Sequence, residues 1–145
     1  MQRSWTGSGK PLRDSALYDS NVLIAYLFRE EERFHKAKGA LAKHSNRYMS
    51  MISIHEIEYY SRKIGVETKF MEIKPKLYKL VRPLQVDQEV CSYAISLRDL
   101  EKLPEMDALI AATAIRYGIN YLYTFDEDFA RLHNRSVQGT VMIKL

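Results

Sequence analysis

The sequence has one cysteine, Cys91. No intrachain disulfide can form from it, and no zinc-knuckle spacing exists. A reducing, cytoplasmic setting is therefore expected. No apolar run approaches the length that spans a bilayer, so no membrane association is expected. The basic residues near the amino terminus have no apolar segment behind them, which argues against a signal peptide. Several short motifs also fail. Ser8-Gly9-Lys10 sits in a stretch like a phosphate loop, but Ser4 stands where the first glycine belongs and Pro11 replaces the hydroxyl residue. His55-Glu56 starts like a zinc-protease helix, yet Tyr59 occupies the second histidine position.

What is present fits an ordinary globular domain: 145 residues, 46% hydrophobic, 28% charged, with a net charge of +4. That length is enough to bury a core. The basic balance permits attraction to a polyanion without demonstrating it. Residues 1–15 lack periodicity and are rich in Gly, Ser, Lys and Arg, so they are expected to form a flexible basic arm, native or added. Residues 16–145 form the expected domain.

Within it, Ala16-Leu17-Tyr18 reads as a strand, and Asp19-Ser20-Asn21 opens a helix carrying Val22, Leu23, Tyr26 and Leu27. A second helix carries Phe34, Ala37, Leu41 and Ala42. Residues 48–52 read as a strand, and Ser53 starts a helix that stops at Gly65. A helix interrupted or bent at Pro75 follows over 67–80. Leu84-Gln85-Val86 is a short strand, and Asp87 caps a helix to about Lys102. Pro104 begins the helix containing Asp107, Ala111, Ala114 and Ile115. Tyr121-Leu122-Tyr123 is a strand, Asp126 to Leu132 a short helix, and Val141-Met142-Ile143 a last strand, expected at an edge. This alternation predicts an α/β fold with a mostly parallel central sheet and helices on both faces, a three-layer α/β/α sandwich.

Such sheets bind ligands outside the carboxyl ends of their strands. Asp19 follows the first strand, Glu56 lies in the first turn of the helix after the second, and Asp126 follows the fourth behind Thr124. Asp107 opens the helix leading into the fourth strand, and spacing alone does not bring it to the same end. Clustered carboxylates repel one another unless a cation lies between them. Hard oxygen ligands suit Mg²⁺ or Mn²⁺, which can polarise a phosphodiester and activate water. Each acid also has a structural explanation. Ser53 with Glu56 makes a capping box, Asp19 and Asp126 are good helix caps, and Asp107 complements a helix dipole or pairs with Ser20 or Thr124.

The run Leu17-Tyr18-Asp19-Ser20-Asn21-Val22-Leu23-Ile24 resembles the opening of PIN-domain nucleases. Ile52-Ser53-Ile54-His55-Glu56-Ile57 resembles their second motif, and Met106 to Ala114, around Asp107, is similar to their third. Tyr123-Thr124-Phe125-Asp126-Glu127-Asp128-Phe129 resembles their fourth. The resemblance covers about residues 16–145. It implies a metal-dependent endoribonuclease in which Asp19, Glu56, Asp107 and Asp126 meet as ligands of Mg²⁺ or Mn²⁺. It further implies that Asn21 and Thr124 orient these ligands, with Asp128 either reaching the site or serving the short helix. Small prokaryotic members of the family resemble VapC-type toxins, which implies an antitoxin partner and a homodimer.

Residues 61–82 carry Arg62, Lys63, Lys69, Lys74, Lys76, Lys79 and Arg82 against Glu67 and Glu72. They are expected to form either a phosphate track or a solvated helical face. Tyr60 stands beside them as a stacking candidate. Glu56, Tyr60 and Lys63 share a helix face, which singles out Lys63 for a substrate phosphate. The alternative function is a non-catalytic RNA-binding or scaffold protein with the same fold. A phosphatase of the haloacid type fits poorly, because it needs Asp-x-Asp where this chain has Asp19-Ser20-Asn21.

Overall fold

The computed structural model describes residues 14–65 and 67–145. The expected arm, apart from its last two residues, lies outside them. Six strands form one sheet in the order β3-β2-β1-β4-β6-β5. The strands are β1 (Ser15–Tyr18), β2 (Asn46–Ser50), β3 (Arg82–Leu84), β4 (Tyr121–Thr124), β5 (Ser136–Val137) and β6 (Thr140–Lys144). All neighbours pair in parallel except β5 with β6.

The helices are α1 (Ser20–Leu27), α2 (Phe34–Ala42), α3 (Met51–Lys63), α4 (Glu67–Leu80), α5 (Gln88–Glu101) and α6 (Glu105–Arg116), with a 3₁₀ helix over Glu127–Leu132. Side chains alternate across a strand, and here both alternating sets are apolar, the pattern of a sheet covered on both faces. Leu17, Tyr48, Leu122 and Met142 join Val90, Leu97, Ile110 and Phe129 in one core. Ala16, Tyr18, Met49 and Tyr123 join Leu23, Leu41, Ile57 and Leu77 in the other. Helices α1 to α4 therefore cover one face, and α5, α6 and the 3₁₀ helix cover the other. This is the three-layer α/β/α sandwich expected from the sequence.

Several boundaries differ from expectation. The first strand begins at Ser15, whose amide and hydroxyl both meet Asn120 Oδ1. The second ends at Ser50, not at residue 52. Ser50 caps α3 by accepting from the Ile52 amide, so α3 starts two residues before Ser53. The third strand ends at Leu84 rather than spanning residues 84–86. Helix α4 runs unbroken through Pro75. The last strand is not at an edge: β6 pairs with β4, and the two-residue β5 takes the edge.

Helices α5 and α6 form an antiparallel hairpin. Arg116 Nε, at the end of α6, lies 3.2 Å from Asp87 Oδ2 at the start of α5. Lys102, with φ 58°, turns the chain between them. The start of α6 is thereby carried back toward the carboxyl ends of β1 and β4. Strand order reverses between those two strands, which opens a crevice there.

Candidate carboxylate site

The crevice is built from the ends of β1 and β4. The Asp19 backbone N–H donates to Tyr123 O at 3.0 Å, extending the sheet by one residue. Asp19 is extended (φ −64°, ψ 157°), and its carboxylate caps α1 by accepting from the Ser20 amide at 2.7 Å. Its other oxygen accepts from the Thr124 hydroxyl at 2.8 Å.

Thr124 is fully buried and acts as a hub. Its Oγ1 gives its one proton to Asp19 and accepts from Asn21 Nδ2 at 3.3 Å and the Asp126 amide at 3.0 Å. Asn21 Oδ1 accepts from the Phe125 amide at 3.1 Å. Asp126 caps the 3₁₀ helix by accepting from the Asp128 amide at 2.9 Å. Asn21 and Thr124 thus hold Asp19 and Asp126 in fixed relation. Thr124 serves Asp19 and not Asp107, so the structural pairing of Asp107 with Thr124 is not what the fold makes.

Asp107 lies in the first turn of α6 and is 8% exposed. Asp107, Asp126 and Asp128 each offer a carboxylate oxygen, and these atoms lie within 4.8 Å of one another. Burial raises the Asp107 carboxyl well above the usual carboxylate range. A hydrogen bond shared with Asp126, then the charges of Asp126 and Asp19, push it further the same way. Burial likewise pushes Asp19 up to about 6, against the Thr124 hydrogen bond and with help from the Glu56 charge. Asp128 both supports the 3₁₀ helix through its amide and reaches the acidic group through its carboxyl.

Glu56 lies in the second turn of α3, because α3 starts early. The capping-box explanation therefore does not hold, and the buried Ser53 Oγ has no hydrogen-bond partner among the described residues. Among the described residues Glu56 Oε1 also has no hydrogen-bond partner, though it is buried. Burial raises the Glu56 carboxyl, opposed by a hydrogen bond with Ser20. Ser20 was considered as a partner of Asp107 and is instead the contact of Glu56. Ser50, unremarked from sequence, joins the layers by accepting from Thr113 Oγ1 at 3.2 Å. A serine at a strand-to-helix junction is the signal that would have found it.

These donors suit a hard cation. A carboxylate accepts at two oxygens with about four lone-pair sites, and Asp19 uses only part of that capacity. The group that could share an ion consists of aspartates alone among the described residues. An oxygen-only set favours Mg²⁺ or Mn²⁺ over zinc. The buried, partnerless Glu56 Oε1 and the crowded, buried Asp107 are both costly without a cation.

The suggested RNA contacts lie further along α3. Arg62 is paired with Glu58 at 2.9 Å. Tyr60 packs edge-on against Phe28, with ring centroids 5.3 Å apart. Lys63 is exposed in the last turn. No helix among the described residues is long and apolar enough to cross a membrane.

Among solved structures, a toxin-antitoxin complex from Klebsiella pneumoniae is similar at 28% identity and TM-score 0.65, covering 79% of this chain and 90% of that one. VapBC2 from Rickettsia felis, bound to a promoter DNA fragment, is similar at 18% identity and TM-score 0.69, over 90% and 98%. VapC20 from Mycobacterium tuberculosis, a sarcin-ricin loop cleaving toxin, is similar at 18% identity and TM-score 0.66, over 80% and 93%. No curated protein sequence matches the chain. The model of the PIN domain family matches residues 16–134, a stretch that holds all of the acids described above, and the chain belongs to that family.

Proposed function

We propose that this protein is a Mg²⁺- or Mn²⁺-dependent endoribonuclease, the toxin of a toxin-antitoxin pair. The observation that carries this reading is the half-hidden acidic group in which the buried Asp107 carboxyl faces Asp126 and Asp128. Asp19, Glu56, Asp107 and Asp126 would hold the cation, with Asp128 at its rim. A divalent ion there would supply positive charge to a phosphodiester and lower the pKa of a water. Thr124 and Asn21 keep the Asp19 and Asp126 carboxylates aligned, a restraint that commonly governs metal affinity. The single Thr124 proton is committed to Asp19, so the Asp126 carboxylate takes no proton from Thr124 and meets Asp107 instead. Glu56 Oε1, buried and with no partner among the described residues, would be a further acceptor for the ion.

The toxin assignment is supported by the similar structures from Klebsiella pneumoniae and Rickettsia felis, which are toxin-antitoxin complexes. RNA as substrate is supported by VapC20, described as cleaving the sarcin-ricin loop. Exposed Tyr59 on α3, Ile64 at its end, and Met71 and Tyr78 on α4 would supply apolar surface for a homodimer. The cytoplasm, where such RNA is found, is its proposed compartment.

The deciding experiment is cleavage of a mixed RNA pool by purified, antitoxin-free protein with Mn²⁺, with Mg²⁺ and with EDTA, beside Asp107→Asn. Metal-dependent cutting that disappears in the variant is expected. Folded protein that cuts no RNA under any condition would favour the non-catalytic RNA-binding reading.

A further inference from the structure

The structure holds a second concavity, whose lining includes His55, the neighbour of Glu56 in α3. It is an open recess of about 440 Å³ lined by Met51, Ile52, His55, Gln85 and Val86. Its walls come from the first turns of α3 and from the segment that leaves β3, so it lies at the carboxyl edge of the sheet. Its floor is rigid: Ile52 and Val86 pack directly on the core beneath α5 and α6. The Gln85 backbone is fixed by the Tyr117 hydroxyl, which donates to Gln85 O at 3.0 Å. Met51, 43% exposed, forms the rim.

Two polar groups line this apolar recess, and neither is used by the fold. The Gln85 carboxamide and the His55 imidazole make no hydrogen bond to another described residue. An open, mostly apolar recess with an amide and an imidazole in its lining suits a heteroaromatic ring. Its faces would be covered by aliphatic and thioether groups, and its edge would be met by donors and acceptors. His55 is next to Glu56 in α3 and acts electrostatically on its carboxyl. His55 therefore ties the recess to Glu56, one residue along the helix.

We propose that this recess binds one unpaired nucleobase of the RNA substrate, beside the phosphate that the carboxylate site engages, and that Gln85 and His55 read its edge. The proposal rests on the ribonuclease reading for its substrate. It goes further by assigning the recess as a base subsite and these two residues as determinants of cleavage sequence.

The test measures binding apart from cleavage. Short single-stranded oligoribonucleotides are titrated into the protein in EDTA while the Met51 methyl and His55 ring resonances are followed by NMR. An oligonucleotide of the same length with abasic positions serves as the control. Base-bearing RNA is expected to shift both resonances saturably, and the abasic control is not. Cut positions in a mixed RNA pool are then mapped for wild type, Gln85→Ala and His55→Ala, all at exposed or half-exposed side chains. Each variant is expected to lose roughly five- to tenfold in discrimination between preferred and disfavoured bases, the loss of about one net hydrogen bond. The proposal is overturned if base-bearing and abasic RNA shift the resonances equally, or if cutting persists in both variants with unchanged preference. It is likewise overturned if the Met51 resonance moves with protein concentration alone, which would assign the recess to a second copy of the chain. A wild type that binds bases there yet cuts no RNA would remove the nuclease reading and leave the base site standing.

Discussion

Thr124 donates its hydroxyl to Asp19 at 2.8 Å across a sequence separation of 105 residues. This one bond ties the end of β4 to the end of β1 at the point where strand order reverses. Because the same oxygen accepts from Asn21 and from the Asp126 amide, Thr124 fixes two acids at once. Thr124→Val keeps the shape and removes that oxygen. The buried Asp19 carboxylate and the Asp126 amide then each lose a partner, at a cost of about 1–3 kcal/mol. Metal affinity, followed by Mn²⁺ titration calorimetry, is expected to fall roughly 10- to 100-fold. Unchanged affinity in a folded variant would show that Thr124 does not position the ligands.

The acids also set a pH dependence. Asp19 is pushed up to about 6 by burial, and Asp107 is raised by burial and by its acidic neighbours. A carboxyl whose folded pKa exceeds its unfolded value binds more protons when folded, so stability falls as pH rises between the two values. Asp87 works in the other direction, since its depressed pKa adds stability above its unfolded value and loses it in acid. That loss falls below about pH 4, outside the window of Asp19. EDTA-treated protein is thus expected to melt at a lower temperature at pH 8 than at pH 5.5. Mn²⁺ should raise the melting temperature more at pH 8, where the acids are charged. Asp107→Asn should flatten the pH dependence by removing one raised group. Metal-free protein that gains stability from pH 5.5 to pH 8 would contradict this account of the site.

Asp19 and Asp126 are legible in the sequence because Asp19 follows β1 directly, Asp126 follows β4 after Phe125, and each caps what comes next. Asp107 was not legible by spacing. Its place depends on the α5–α6 hairpin, which rests on tertiary contacts such as Arg116 with Asp87. Glu56 sits in a different turn of its helix than the sequence suggests. Met51 and Ile52 continue the apolar pattern of β2, so the strand looked longer than it is and Ser53 looked like the cap. The Ser50 cap and its bond to Thr113 on the opposite layer decide the boundary instead. The interior position of β6 was hidden for a similar reason, because a two-residue edge strand leaves almost no periodic signal.

On α3 the structure separates two neighbouring cations. Arg62 is engaged with Glu58, whereas Lys63 forms no ion pair with another described residue and shares a helix face with Glu56. If RNA runs along this helix, Lys63→Ala should weaken binding of single-stranded RNA and lower the salt slope of log affinity by about 0.7, the value for one phosphate contact. Arg62→Ala should change the slope less, because Glu58 already neutralises Arg62. The measurement is fluorescence anisotropy in EDTA across a salt series. Equal slopes for wild type and Lys63→Ala would remove Lys63 from the RNA path.

Asp87 offers a test of how the site is assembled from a distance. Its Oδ1 accepts from the Val90 amide at 2.9 Å as the cap of α5, and its Oδ2 pairs with Arg116. Asp87→Ala removes both, and loss of the cap alone costs about 1 kcal/mol. Asp87→Asn retains a capping oxygen but loses the ion pair, so it isolates the hairpin contact. Urea denaturation should show Asp87→Ala less stable than Asp87→Asn, and Asp87→Asn less stable than wild type. If the hairpin also places Asp107, both variants should bind Mn²⁺ more weakly than wild type at urea concentrations where all three are still folded. Equal metal affinity, alongside the stability loss, would mean that α6 is held in place by its buried face of Ala108, Ala111 and Ala114 without help from the α5 end.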